Sequence, residues 1–80
     1  MSRVFINKEV FMQHFKDMYG NSPISCFCEE NNISPSVMSM VLNNKCGVSA
    51  FIMLKIIDEF QLNWECFYKM FYCENKESEK

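Results

Sequence analysis

The chain has 80 residues and a formal net charge of −2, and 49% of its side chains are hydrophobic and 15% aromatic. That length provides a single domain, and that hydrophobic content excludes an intrinsically disordered chain. The charge balance lacks the basic surplus of most nucleic-acid-binding proteins. No apolar run approaches the roughly 20 residues of a membrane span, so we expect no membrane contact.

The cysteines and the single histidine argue against covalent or metal chemistry. Five cysteines are an odd number, so they cannot all pair as disulfides within the chain. Charged residues interrupt the first twenty positions, so we expect no signal peptide and a cytoplasmic protein with free thiols. Cys26 and Cys28 do not have the spacing of a zinc or redox pair, and His14 has no second histidine to join it. We therefore predict no metal, no cofactor and, because no nucleophile and base occur as a set, no enzymatic activity.

The first predicted helix covers about residues 7–19. Asn7 is a good N-cap, and Ile6 and Phe11 are placed for a hydrophobic staple. Gly20 is suited to end the helix, because glycine adopts the left-handed conformation without strain. Apolar residues at helical spacing mark the buried face: Phe11, Phe15, Met18 and Tyr19.

Two Ser-Pro pairs, at 22–23 and 34–35, predict two short helices in succession, because serine caps a helix and proline suits its first turn. These helices cover about residues 23–30 and 35–43. Asn31 and Asn32 form the turn between them, since asparagine tolerates the left-handed conformation. The inward residues are predicted to be Ile24, Phe27 and Cys28 in the second helix, and Met38, Val41 and Leu42 in the third.

Ser49 and Asn63 are predicted N-caps of two further helices, over about residues 50–60 and 64–72. In the fourth helix, the residues predicted to face inward are Met53, Leu54, Ile57 and Phe60. One side of the fifth helix carries five large apolar residues: Trp64, Phe67, Tyr68, Phe71 and Tyr72. The polar tail over 74–80 is expected to fray. With five short helices, the predicted fold is all-α.

Residues 24–43 carry the pattern of a helix-turn-helix unit. A small residue is needed where the two helices cross, and Cys28 occupies that position. The turn needs a residue that accepts positive φ, and Asn32 occupies it. Apolar residues must anchor both helices so that the outer face of the second one stays free. The chain supplies them at the expected steps, as Phe27, Ile33, Met38 and Val41.

In this register the chain resembles the phage repressor and Cro-like helix-turn-helix domains (XRE type), which have five short helices in the lambda-repressor-like fold. The resemblance covers about residues 7–72. Its strongest parts are Asn32-Ile33-Ser34-Pro35-Ser36 and Met38-Ser39-Met40-Val41-Leu42-Asn43-Asn44-Lys45, followed by the fourth-helix pattern from Ser49 to Leu62. It implies that the third helix recognises double-stranded DNA.

The resemblance also implies which residues touch DNA. Those facing the major groove would be Ser34, Ser36, Val37, Met40 and Asn43, whose hydroxyl, amide and apolar groups can contact base edges. Asn44 and Lys45 follow the helix and would lie near phosphates. The same serines and asparagines also suit ordinary caps and solvated positions on an exposed helix.

The chain departs from the family pattern in its charge and at one turn position. Residues 33–44 contain no Lys or Arg, and Glu29 and Glu30 lie close by. Asn31 stands where the family usually has an apolar residue. Contacts with phosphates supply most of the non-specific affinity for DNA. Only a few cations would be available to make them, namely Lys45, Lys55, Arg3 and Lys8.

These observations leave two classes of function open. The leading one is a sequence-specific DNA-binding transcriptional regulator of phage or mobile-element type, acting as a homodimer on a two-fold operator. The alternative is a helix-turn-helix scaffold that binds a basic protein partner, such as a phage-encoded anti-CRISPR inhibitor or an antirepressor, which the acidic charge balance favours. The aromatic residues of the fifth helix either pack as core against the first helix or form the dimer or partner interface.

Overall fold

A computed structural model describes residues 3–74 of the chain. Five helices and two strands follow one another in these residues: β1 (Arg3–Ile6), α1 (Lys8–Tyr19), α2 (Ile24–Glu30), α3 (Pro35–Leu42), α4 (Ala50–Phe60), α5 (Trp64–Met70) and β2 (Phe71–Glu74). The chain is mostly helical, which is roughly consistent with the all-α prediction, and β1 and β2 add a small two-stranded sheet that was not predicted. Of the tail predicted to fray, Glu74 lies in β2, and 75–80 lie outside the described residues.

The two strands pair antiparallel, with Ile6 opposite Phe71. Both strands are rich in aromatic and β-branched residues, which favour extended backbone. The carbonyl of Val4 in β1 accepts a hydrogen bond from the Val48 N–H at 2.7 Å. The sheet therefore holds the loop that precedes α4 as well as the two ends of the described chain.

The fifth helix ends two residues before its predicted end, at Met70. Phe71 and Tyr72 lie in β2 instead, and Phe71 is only 5% exposed. The Met70 carbonyl accepts a hydrogen bond from the Asn7 N–H at 2.6 Å, which extends the ladder between the strands. The strand is preferred because β1, far away in the sequence, offers backbone partners and a buried position for the Phe71 ring.

Helix α1 begins and ends where its capping residues predict. The side chain of Asn7 accepts hydrogen bonds from the N–H groups of Glu9 and Val10, and Gly20 adopts a φ of 65°. One inward prediction is wrong, since Met18 is 51% exposed. Tyr19, also predicted to face inward, is half-buried and stacks on the Phe15 ring at 4.8 Å between centroids.

Helix α4 buries a face that only partly overlaps the predicted one: Phe60 is buried as predicted, but Leu54 is not. Its buried residues are Ile52, Ile56 and Phe60, whereas Leu54 is 65% exposed and Met53 and Ile57 are half-buried. Apolar side chains occupy nearly every side of this helix, so helical spacing alone does not choose between faces. Packing against the core that the other helices form determines which face of α4 is buried.

The centre of that core is a cluster of phenylalanine rings from three helices. Phe11 of α1, Phe27 of α2 and Phe60 of α4 lie 5.4–5.6 Å apart between ring centroids. Aromatic pairs at this spacing add to the stabilisation from burial alone. The cluster fixes α2 against α1 and α4, and thereby fixes the position of the turn that leads into α3.

Candidate nucleic-acid interface

The unit formed by α2, its turn and α3 has the local features predicted from the sequence. Asn32 has a φ of 57°, and the Ile33 N–H donates to the Cys28 carbonyl at 2.8 Å, which closes the end of α2. The small and apolar anchor positions are all buried: Phe27, Cys28, Ile33, Met38 and Val41. Burial also raises the pKa of the Cys28 thiol, so this cysteine serves as packing.

Asn31 shows how a polar residue fits a position that is usually apolar in the resembled family. It is 7% exposed, and its side-chain amide donates to the Phe27 carbonyl at 3.0 Å. A buried polar group costs little when it is hydrogen-bonded in this way. The departure from the family pattern therefore does not disrupt the turn.

The two Ser-Pro pairs begin their helices without side-chain capping. The N-cap of α2 is Pro23 rather than the predicted Ser22, and the helix starts at Ile24. Ser34 is the N-cap of α3, but its hydroxyl makes no capping hydrogen bond. Because Ser34 is exposed, that hydroxyl is free to contact another molecule.

The outer face of α3 exposes most, but not all, of the residues predicted to read bases. Ser34, Ser36, Met40 and Asn43 are exposed, and Met40 is 45% exposed. Val37 is half-buried and packs against the core, so only part of its side chain reaches the surface. The exposed groups are small, polar or apolar, and none is charged.

At its C-terminal end α3 is joined to two other elements by asparagine side chains. The Asn43 amide donates to the Ser39 carbonyl at 2.9 Å, while its oxygen accepts from the Lys8 ammonium at 3.5 Å. Asn44, with a φ of 59°, donates to the Tyr72 hydroxyl at 3.2 Å. Two of the residues predicted to contact DNA, Asn43 and Asn44, are thus positioned by α1 and β2.

Two lysines lie at this end of α3, and an arginine packs on the loop that follows it. Lys8 contacts Asn43, Lys45 is exposed just beyond the helix, and the Arg3 side chain lies against Gly47, since a Cβ built at Gly47 would be 3.5 Å from the Arg3 Cβ. The Lys55 ammonium lies over the Phe51 ring, 5.4 Å from its centroid. No Asp or Glu occurs between residues 31 and 57, so α3 itself carries no carboxylate.

The residues predicted to form a dimer or partner interface do not all reach the surface. Trp64 is 73%, Tyr68 71% and Tyr72 45% exposed, but the buried Phe71 is not available for contact. Phe67 is half-buried and forms part of the wall of an apolar groove between α4 and α5, of about 410 Å³. The other walls of this groove are formed by Met53, Ile57, Leu62, Asn63 and Trp64.

The described residues show few other groups that suit chemistry. Over residues 3–74, no three His, Cys, Asp or Glu side chains come together as a metal site, and the five cysteines are free thiols. The Tyr19 hydroxyl donates to the Glu59 carboxylate at 2.7 Å. Burial, with this hydrogen bond, raises the pKa of Tyr19 above its ordinary value. None of the helices within 3–74 is both long enough and apolar enough to cross a membrane.

Comparison of the chain with protein families, characterised proteins and solved structures gives no match. The likeness to repressor domains therefore stands on the residues themselves. Those residues form a short helix pair with Asn32 in its turn, an exposed and uncharged α3 face, and two lysines at the end of that face.

Proposed function

We propose that this protein is a sequence-specific DNA-binding regulator of phage or mobile-element type, in which α3 enters a major groove. The observation that carries the proposal is the exposed outer face of α3, which has no carboxylates of its own and is followed by Lys8 and Lys45, with Arg3 packed on the next loop. A helix held on a helix-turn-helix scaffold, with its outer face free, is the arrangement that major-groove recognition needs.

The roles of the α3 side chains follow from their chemistry. Ser36 and Asn43 offer donors and acceptors to base edges, and Met40 offers an apolar contact to a thymine methyl group. Lys8 and Lys45 lie at the end of the helix, where phosphates would pass, and Arg3 adds a third cation. Contacts between these cations and phosphates would position the protein on DNA, while the contacts with bases would give it specificity.

The small number of cations limits the expected electrostatic contribution to the affinity for DNA. Each neutralised phosphate contributes about −0.9 to the slope of log affinity against log salt, so three cations give a slope of about −3 for each protomer. Glu29 and Glu30, which are exposed near the turn, oppose non-specific binding. The regulator should therefore bind random DNA poorly and depend on its base contacts.

The proposal is tested by fluorescence anisotropy with duplex DNA from the region upstream of its own gene, beside a scrambled duplex. Asn43→Ala should weaken binding to the specific duplex about tenfold or more, because a good base contact is worth about 1–3 kcal/mol. Lys45→Ala should weaken both duplexes and reduce the salt slope by about 1. Lys16→Ala, an exposed cation on α1, is the matched control and should change neither.

A second function is favoured by the net charge of −2 and the exposed carboxylates of Glu29 and Glu30. In this alternative the protein is a helix-turn-helix scaffold that binds a basic protein, as an anti-CRISPR inhibitor or antirepressor would. Affinity purification from host cells should then recover a basic partner, and a Glu29→Gln, Glu30→Gln variant should lose it. Recovery of such a partner, together with the absence of binding to either duplex, would favour this alternative over DNA binding.

A further inference from the structure

A cleft of about 240 Å³ lies beside the outer face of α3, between that helix, α1 and α2. We call it the α1–α3 cleft. Its lining includes apolar and polar side chains: Met12, Ile24 and Met38, with Lys8, Ser39 and Asn43. Met38 is buried in the core and closes the cleft on its inner side, whereas the three polar residues are exposed and form its rim. The cleft therefore has an apolar interior and a polar rim, as small-molecule sites do.

The polar rim of the cleft suits an anionic group. The Lys8 ammonium contacts the Asn43 oxygen at 3.5 Å, which is longer than a normal hydrogen bond, and an ammonium has three donors. The Ser39 hydroxyl accepts a contact of 3.5 Å from the Asn43 amide, so its proton can be donated to a ligand. A cation and a hydroxyl on one rim are the partners that a carboxylate binds.

The charges around the cleft also favour an anion. Glu9 follows Lys8 in α1, but it is not among the residues that line the cleft. Asp17 stands about two and a half helical turns after Lys8 and therefore on the opposite side of α1. Glu29 and Glu30 end α2, whereas the cleft is lined by the first residue of that helix. The charged group on the rim itself is thus a cation.

We infer that the α1–α3 cleft binds a small aromatic carboxylate, and that this ligand weakens the binding of DNA. An apolar cavity of about 150 Å³ holds one benzene molecule, so the larger volume of this cleft accommodates a ring with a short carboxylate arm. The ring would lie against Met12 and Met38, because thioethers make favourable contacts with aromatic rings. The carboxylate would reach the ammonium of Lys8.

The regulatory part of this inference rests on the proposed function, because Lys8 and Asn43 belong to the proposed DNA contacts. A ligand that neutralises Lys8 removes one phosphate contact, which should reduce the salt slope by about 1. By linkage, the duplex should weaken the binding of the ligand by the same factor as the ligand weakens the binding of the duplex. Binding of the ligand can be measured without DNA, so a failure of the site differs from a failure of DNA binding.

The site is tested by NMR of the methionine methyl groups while phenylacetate is added to the full chain. The signals of Met12 and Met38 should shift together, with a dissociation constant of about 1 mM or tighter for a ligand of this size. Met53 lines the groove between α4 and α5, so its signal is the internal control and should stay in place. Phenylacetamide keeps the ring without the charge, and inorganic phosphate keeps a charge without the ring. Each should bind about tenfold more weakly than phenylacetate.

Two variants test the rim of the cleft. Lys8→Gln should weaken phenylacetate about tenfold and remove the preference over phenylacetamide, because a hydrogen bond to a charged group is lost. Ser39→Ala should weaken it less, and Lys16→Gln is the matched control on α1 and should change nothing. Unmoved signals of Met12 and Met38, or equal binding of phenylacetamide, overturn the site. Phenylacetate that binds there and leaves the affinity for the specific duplex unchanged in fluorescence anisotropy overturns the regulation.

Discussion

Three of the described helices are followed, within two residues of their last one, by a residue with positive φ that is not glycine: Asn32, Asn44 and Gln61, with φ of 57°, 59° and 53°. Asparagine tolerates this conformation through local hydrogen bonds, whereas a glutamine there costs about 1 kcal/mol. We expect Gln61→Gly to raise the free energy of unfolding by about 0.5–1 kcal/mol, measured by urea denaturation. Asn32→Gly, the control, should give a smaller gain, and an equal gain would contradict the explanation.

A second residue-scale prediction concerns the raised pKa of Tyr19. Burial and the hydrogen bond to Glu59 favour the neutral phenol in the folded state. The folded pKa lies above the unfolded one, near 10, so this stabilisation is complete at lower pH and is lost as the pH rises above about 10. Thermal unfolding should show a melting temperature that falls more steeply above pH 10 in the wild type than in Tyr19→Phe. Equal slopes would show that the tyrosine is not the group responsible.

At the scale of elements, the helices follow from local signals and the strands do not. The caps Asn7, Ser49 and Asn63 accept the predicted hydrogen bonds and set the helix starts. The sheet pairs residues near opposite ends of the chain, and the local pattern in Val4–Ile6 does not indicate which segment these residues pair with. The outward face of α3 was predictable because it is the polar side of a clear pattern. The hydrogen bond from Asn44 to Tyr72 was not, because it depends on that sheet.

Truncation of Phe71 tests whether this residue lies in a strand or at the end of a longer fifth helix. As a strand residue with 5% exposure, it is part of the core rather than of an interface. Phe71→Ala should cost about 3–5 kcal/mol, a large part of the stability of a domain this small. Met18→Ala, which truncates a 51% exposed apolar side chain, should change the urea midpoint only slightly. A mild effect of Phe71→Ala would argue for the helical end predicted from the sequence.

At the scale of the whole molecule, the proposed recognition of a two-fold operator requires two protomers on one duplex. Two bound protomers would make about twice as many phosphate contacts as one. Trp64, which is 73% exposed, belongs to the predicted dimer interface. We therefore expect Trp64→Ala to bind a duplex with two half-sites with about half the salt slope of the wild type, while its binding to a single half-site is unchanged. An unchanged slope on the duplex with two half-sites would show that this ring does not join the protomers.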